Sequence, residues 1–427
     1  MNILKNKEIK NASWLIGGRI IQMFCSLMIG VLTARFLGPS SYGLIGYAGA
    51  YTAFFTSLCN LGLNSIIVKE LIDNKESQGK ILGTIIGLRA LSSLLSTITI
   101  IGIVSIIDRG ESITILVVAL CSISLVFQAG ESINYWFQSR YQSKVTSIAI
   151  LFTYLIVSSY KVILLILKKE VQWFAFATVL DFICLSIFLY VSYKKYGGPK
   201  LSFSWTLGKK LLGKSYHYIL SGMMVAVYGQ TDKMMLKQML NQNEVGYYSI
   251  AQTISNMWVF ILAAIIDSIY PTIMRLYQQN KKEFEQKNKQ LYAIVFYLSL
   301  FVSLGILILG GFVIKVLYGN DYLPAALPLK IITWYTAFSY LGVARNAWIV
   351  CENKQKYLKY MYGCAAIINI ILNLVFIPIL GAAGAALASL ITEMSTSLIL
   401  PLMWKDMRKN VKLMIEGIFL KGVFIKK

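Results

Sequence analysis

The sequence predicts an all-α integral membrane protein with about 12 transmembrane helices. Its 427 residues are 57% hydrophobic and 14% charged, with a mean hydropathy of +0.64. Soluble proteins carry about 25% charged residues, so this composition indicates a chain that lives in lipid. Apolar runs of about 18 to 25 residues recur from end to end, each long enough to cross a hydrocarbon core of about 30 Å as a helix. A transmembrane barrel would instead show alternating segments of about ten residues.

The apolar runs divide into two sets of six, which predicts two six-helix lobes. Gly197, Gly198 and Pro199 end the sixth run, because glycine and proline interrupt helices. We therefore predict an N-terminal lobe at 1–199, a C-terminal lobe at 200–404 and a basic interfacial cytoplasmic tail at 405–427. The predicted spans are 13–33, 43–63, 81–107, 113–137, 147–167, 171–193, 216–236, 247–271, 291–317, 325–350, 358–380 and 382–404.

Lysine and arginine alternate in density from one predicted loop to the next. Of the 41 basic residues, 29 fall in the tail or in loops on one side, and seven fall in loops or at span ends on the other side. Cytoplasmic loops of membrane proteins carry the excess of positive charge, so we predict that both termini are cytoplasmic. The first run has full spanning length and no small-residue cleavage site, which predicts an uncleaved span.

A faint internal repeat relates the two predicted lobes. Residues 37–48 align with residues 240–251 and share three identities, and both segments join the first and second helix of their set. Each set therefore starts on the same side of the membrane. This pattern predicts parallel repeats related by an axis along the membrane normal.

Several functional classes are disfavoured by composition. The net charge of +22 does not indicate nucleic-acid binding, because no basic groove interleaved with aromatic residues occurs outside the spans. The six cysteines are scattered without a C-x-x-C pair, and His217 is the only histidine. These features argue against metal sites and against Ser-His or Cys-His catalysis. We expect no cofactor, no metal and no enzymatic activity. We attribute the positive net charge to basic cytoplasmic loops and to binding of an anionic cargo.

Basic residues inside the predicted spans are the main functional signal. A charged side chain at the bilayer centre costs about 2.5–3.5 kcal/mol on insertion scales, so it normally faces a water-filled cavity or a partner. Arg19, Arg89 and Lys161 each share a helix face with small polar residues, which predicts a polar cavity for an anionic cargo. The predicted cargo-binding residues are Arg19, Arg89, Lys161 and Arg345, and the predicted cavity-lining residues are Gln22, Ser26, Ser93, Ser96, Ser158, Ser221, Tyr228 and Asn256.

Acidic residues inside the spans leave two interpretations open. Asp181, Asp267 and Glu393 are candidates for ion coupling, because a carboxylate at membrane depth needs a proton, a cation or a partner. Polar packing between helices explains the same residues. In that second interpretation the in-span cations form structural salt bridges with these acids and with Glu131.

Four stretches of sequence match one known family in order and spacing. They are 34–39 (ARFLGP) with Tyr42 and Gly43, 135–138 (YWFQ), 231–235 (TDKMM) with 245–248 (VGYY), and 369–373 (NIILN) leading to 381–388 (GAAGAALA). Together they resemble the Wzx-like oligosaccharide-unit flippases for O-antigen and capsular polysaccharide, which belong to the multidrug/oligosaccharidyl-lipid/polysaccharide (MOP) exporter superfamily. One departure is residues 215–218 (SYHY), where many relatives carry a proline.

The resemblance implies two six-helix lobes around a central cavity in a bacterial cytoplasmic membrane. Such proteins alternate between inward-open and outward-open states and carry a polyprenyl-diphosphate-linked repeat unit outward. The diphosphate is then expected to meet Arg19, Arg89 and Lys161. The implied partners are the lipid-linked oligosaccharide, membrane lipids, H⁺ or Na⁺ as a coupling ion, and the polysaccharide polymerase machinery.

Two other functions compete with this prediction. A cation-coupled multidrug exporter of the same superfamily needs an acidic, aromatic cavity, whereas the in-span charge of the first predicted lobe is mostly basic. A membrane glycosyltransferase or polymerase usually needs a long polar loop or a carboxylate cluster at the membrane edge. No predicted loop is long enough for that role.

Overall fold

The computed structural model describes residues 7–423, without the side chains of residues 7–21, Phe24, Ser65, His217, Leu220 and Ser221. All regular secondary structure within residues 7–423 is helical, which confirms the predicted all-α class. The chain forms two compact units that divide between Gln230 and Thr231. The first unit therefore extends beyond the lobe boundary predicted at residue 199.

Seven helices and the start of an eighth build the first unit. The first helix, α1, is kinked at Gly38, where φ is 71°, and Pro39 follows with no amide hydrogen to donate. The two halves of α1 correspond to the predicted spans 13–33 and 43–63. The elements are α1 Lys7–Cys59, α2 Ile67–Asp73, α3 Gln78–Ile107, α4 Ser112–Gln128, α5 Ile133–Ser139, α6 Ser143–Ile166, α7 Val171–Lys195 and α8 Trp205–Met239, which continues into the second unit.

The second unit contains the end of α8 and seven further helices. The predicted span 247–271 is interrupted, because α9 ends at Asn256 and α10 begins at Val259. A π-helical turn at Ser395–Ile399 follows α14. The remaining elements are α9 Gln242–Asn256, α10 Val259–Gln279, α11 Lys281–Tyr318, α12 Ala326–Cys351, α13 Leu358–Leu380, α14 Ala382–Met394 and α15 Lys405–Ile418.

Eight helical stretches within the described residues are long and apolar enough to cross a membrane. The other predicted spans fall on α1, on the end of α8 and on α12, which are helices as well. Many large apolar side chains of these helices are exposed, for example Ile106 and Ile308, each at 78%. An apolar surface of this extent fits lipid. The eight stretches are Lys75–Ile107, Ser112–Ser139, Ser143–Ile166, Val171–Lys195, Val259–Gln279, Lys281–Tyr318, Gln355–Leu380 and Ala382–Met403.

The basic segment after α7 packs on the first unit through a row of glycines on α3. Gly79, Gly83 and Gly87 lie one turn apart, and an added Cβ at each would meet residues 199–203. The amide of Ser202 donates to the carbonyl of Gly79 at 3.3 Å. Small residues at this spacing let another backbone approach closely. Leu211 then packs in the hydrophobic core of the unit, which explains why the unit continues past the predicted boundary.

The C-terminal helix α15 packs on the second unit. Met407 and Met414 are fully buried in its hydrophobic core. The amide of Asn410 donates to the hydroxyl of Tyr292 at 2.7 Å. Ion pairs join Lys289 to Glu416 and Lys409 to Glu285 at the edges of the helix. The predicted interfacial tail is therefore an amphipathic helix whose apolar face contacts protein.

An exposed ion pair fixes the start of α15. Lys354 Nζ donates to Asp406 Oδ2 at 2.9 Å, and Tyr357 donates to the same oxygen at 2.9 Å. These hydrogen bonds lower the pKa of Asp406 and raise the pKa of Lys354. The contribution of the pair is therefore present near neutral pH. It is lost as the pH falls through the lowered pKa of Asp406 or rises through the raised pKa of Lys354.

We predict that Gly83→Val releases the segment after α7 from α3. The new Cβ would lie 2.6 Å from the carbonyl oxygen and 2.7 Å from the amide nitrogen of Ser202, so the backbone has to move. Limited trypsin digestion at Lys200, Lys209 and Lys210 measures the release, and we expect cleavage to become several-fold faster. Gly102→Val on the same helix is the matched control, because nothing lies within 4 Å of Gly102. Equal cleavage in both variants would contradict the packing described above.

Candidate functional site

A polar cavity of about 130 Å³ lies within the first unit. Its walls come from the segment after α1, from α3, from the end of α4, from the 3-10 turn Ala129–Ser132 and from α5, α6 and α7. Ile150, Leu185 and Leu189 form its apolar side. Its polar lining is formed by Arg89 and Glu131 together with Asn60, Asn64, Gln128, Asn134, Tyr135 and Thr146.

The guanidinium group of Arg89 is the most buried charged group of this cavity, with 4% of the residue exposed. Nη1 donates to Ser132 Oγ at 2.7 Å, and Nη2 donates to Asn64 Oδ1. The charge of Glu131 acts on the group, and the Tyr135 ring centre lies 6.0 Å from Cζ. Nε is buried without a hydrogen-bond partner. Within the described residues, Arg89 is therefore held by neutral groups beside a carboxylate, and its Nε has no acceptor.

Lys161 is a second in-span cation of the first unit. It is half-buried on α6, and the charge of Asp181 on α7 acts on it. Two predicted cargo-binding residues of this unit thus each have a carboxylate as an electrostatic neighbour. This arrangement leaves both interpretations open, because no salt bridge joins either cation to its carboxylate within the described residues.

Arg345 stabilises an irregular turn in the second unit. The residue is 1% exposed, and Nη1 donates to the carbonyls of Thr396 at 2.9 Å and Ser397 at 3.5 Å. These carbonyls belong to the π-helical turn after α14, where the ordinary helical hydrogen bonds are displaced. Glu393 lies beside it and accepts a hydrogen bond from Thr396 Oγ1 at 3.1 Å. The geometry gives Arg345 a structural role, and its predicted contact with cargo stays a prediction.

The other described residues of the predicted site do not line the cavity around Arg89. The side chains of Arg19 and Ser221 lie outside the described part of the chain. Ser93 and Ser96 are buried, Gln22, Ser158 and Tyr228 are half-buried, and Ser26, Asn256 and Asp267 are exposed. The cargo and ion-coupling roles of all these residues stay predictions.

A buried aspartate that the sequence analysis did not select is the centre of a hydrogen-bond cluster in the second unit. Asp232 is 2% exposed and lies near the end of α8. Asn369 and Asn373 on α13 donate to Oδ1 at 3.1 and 2.7 Å. Tyr248 on α9 and Ser389 on α14 donate to Oδ2. One carboxylate therefore joins four helices.

The signal for this cluster was present in the sequence. Asp232 lies inside the predicted span 216–236, and Asn369 and Asn373 are four residues apart on another predicted span. Residues at that spacing share a helix face, so a pair of amides and an in-span acid are complementary. The predicted site was based on in-span cations and therefore did not include this acid and its two amides.

We predict that Asp232→Ala strongly destabilises the protein. Four buried donors lose their acceptor, and each unpaired donor costs about 1–3 kcal/mol. Relaxation of the structure around position 232 should reduce the net loss of unfolding free energy to about 3 kcal/mol. We therefore expect the apparent Tm in detergent to fall by roughly 5–10 °C. Asp267→Ala is the matched control, because Asp267 is exposed, and its Tm should stay close to the wild-type value. The same fall in both variants would show that the cluster contributes no special stability.

The helices and their enclosed polar sites define a multi-pass helical membrane protein. A sequence profile of the family described as "Polysaccharide biosynthesis protein" matches residues 32–327, which is more than half of the chain. The chain belongs to this family. It is also similar to the capsular polysaccharide biosynthesis protein CapF of Staphylococcus aureus, with 20% identity over 398 residues, 90% of this chain and 96% of that protein.

Solved structures of the MOP superfamily share this fold. An inward-facing multidrug resistance MATE family transporter superposes with a TM-score of 0.72 and 14% identity, over 92% of this chain and 96% of that chain. Lipid II flippase MurJ in an inward closed conformation superposes with a TM-score of 0.69 and 16% identity, over 95% of this chain and 91% of that chain. The predicted membership of a polysaccharide biosynthesis family is confirmed, and the fold agrees with the predicted resemblance to transporters of the MOP superfamily.

Proposed function

We propose that the protein flips a polyprenyl-diphosphate-linked oligosaccharide repeat unit across the bacterial cytoplasmic membrane by alternating access, for surface polysaccharide synthesis. The observation that carries this proposal is the polar cavity around Arg89, buried in an apolar helix bundle of a polysaccharide biosynthesis family member. Lipid supplies no hydrogen bonds to amides and charged groups. Such groups at membrane depth therefore either bind a polar substrate or stabilise the fold. The names of CapF and lipid II flippase MurJ support the same class of cargo.

The proposed mechanism requires no covalent chemistry. The cargo moves between leaflets while its polyprenyl chain stays in lipid and its polar head contacts protein. We propose that both termini are cytoplasmic, that H⁺ or Na⁺ is the coupling ion and that polymerase machinery receives the cargo. Arg89 is the described cation with the strongest geometric support, because it opens on a cavity, whereas Arg345 is enclosed by carbonyls.

A strain without this protein tests the proposal directly. We predict that lipid-linked repeat units accumulate in the cytoplasmic leaflet, where they are protected from enzymes added outside the membrane. The wild-type gene should restore surface glycan, whereas Arg89→Ala and Arg19→Ala should restore it at least tenfold less efficiently. Arg109→Ala is the matched control, because Arg109 is exposed at the end of α3. Normal leaflet distribution in the deletion strain would refute the flippase proposal, and full rescue by both variants would refute a role for these cations.

A multidrug exporter is the alternative that the fold similarity to a MATE transporter favours. The cavity of the first unit argues against it, because one Glu is balanced by one Arg and the remaining polar lining is mostly amide groups. We predict that the deletion strain keeps its resistance to cationic drugs while its surface glycan is lost. Increased drug sensitivity with normal glycan would instead identify an exporter. Measurement of inhibitory concentrations and of surface glycan in the same strain separates the two functions.

A further inference from the structure

We infer that the polar cavity of the first unit is a subsite for one neutral sugar residue, and that it does not bind the diphosphate. This inference rests on the proposed function, because it assigns one part of the proposed cargo to one described cavity. It also changes the role predicted for Arg89 from phosphate binding to sugar positioning. Three properties of the cavity support this assignment: its charge balance, its unused hydrogen-bonding groups and its size.

Charge balance is the first observation. Arg89 and Glu131 both line the cavity, and the charge of each acts on the other. The remaining polar lining consists of neutral amides, a tyrosine and a threonine. A diphosphate needs uncompensated cations to replace its hydration, whereas a sugar hydroxyl needs neutral donors and acceptors. The cavity therefore has the electrostatics of a site for a neutral ligand.

Unused hydrogen-bonding groups are the second observation. Asn60 and Asn134 line the cavity, and their side-chain amides make no hydrogen bond within the described part of the chain. Each amide offers a donor and an acceptor side by side, which is the pattern that neighbouring hydroxyls or an acetamido group complement.

Size and shape are the third observation. Liquid water occupies about 30 Å³ per molecule, so a cavity of about 130 Å³ exceeds the space of single bridging waters. It is smaller than the roughly 300–1,000 Å³ of sites for larger ligands, so it fits one sugar residue and cannot enclose an oligosaccharide. Tyr135 and the apolar residues Leu185 and Leu189 supply contact surface for the ring carbons.

Asn134→Leu is the variant that tests the inference. It removes an amide that has no partner among the described residues, so the hydrogen bonds described for the fold stay intact. Asn320→Leu is the matched control, because Asn320 is exposed, lies in the other unit and likewise has no side-chain partner in the described residues.

Binding is measured with the full-length protein in detergent. The probes are glucose, N-acetylglucosamine, glucuronate and potassium pyrophosphate, each titrated at matched ionic strength while the Tm is recorded. We expect a saturable rise in Tm with at least one of the two neutral sugars and none with pyrophosphate. Asn134→Leu should weaken this binding at least tenfold, whereas Asn320→Leu should bind like the wild type.

Three results would overturn the inference. They are the absence of stabilisation by both neutral sugars, stabilisation by pyrophosphate that depends on Arg89, and unchanged sugar binding in Asn134→Leu. The first result would identify a hydrated structural cavity, and the second would restore the phosphate interpretation. Because binding is measured without transport, these results are independent of the deletion strain. Sugar binding together with a normal leaflet distribution would refute the proposed function alone.

Discussion

The lipid interior provides no hydrogen-bond partner, and this constraint governs the placement of polar groups in the molecule. Each buried polar group has to be satisfied by another part of the chain or by a bound molecule. Asp232 satisfies the constraint with four donors from three other helices. The amide of Ala382 at the start of α14 satisfies it by donating to Glu244 Oε2 at 2.6 Å. Polar contacts of this kind supply specific helix packing where apolar side chains gain little from leaving lipid.

The same constraint explains why in-span charges occur with partners. Arg345 supports carbonyls at the π-helical turn, where an ordinary helix would have satisfied them internally. Lys161 has Asp181 as an electrostatic neighbour, and Arg89 has Glu131. An in-span cation alone is therefore a poor indicator of an anionic ligand. A buried positive charge needs a nearby carboxylate or hydrogen-bond acceptors whether the site is structural or functional. The informative quantity is the number of hydrogen-bonding atoms left without a partner.

The sequence predicted the helical class, the membrane location and the family, because these depend on features repeated many times along the chain. The length of the apolar runs is such a feature, because it does not depend on any single residue. The interruption at Met257 and Trp258 was not predicted, because the run 247–271 stays apolar across it. The four-residue spacing of the glycines at 79, 83 and 87 is present in the sequence. The sequence alone does not show that residues 199–203 pack on them, because this contact depends on the fold.

The candidate site was predicted only in part, for a reason that lies in its chemistry. Arg89 was found because charge in a span is rare, whereas Asn60, Asn134 and Gln128 carry no charge and look unremarkable among loop and span residues. Their role depends on the fold, because six elements and the segment after α1 bring them around one cavity. Within the described part of the chain, the side chains of Asn60 and Asn134 have no hydrogen-bond partner. In the Asp232 cluster the amides of Asn369 and Asn373 point at a carboxylate, so their donors are consumed by the fold. The same residue type is therefore structural in one unit and available for a ligand in the other, and hydrogen-bond partners decide between these roles.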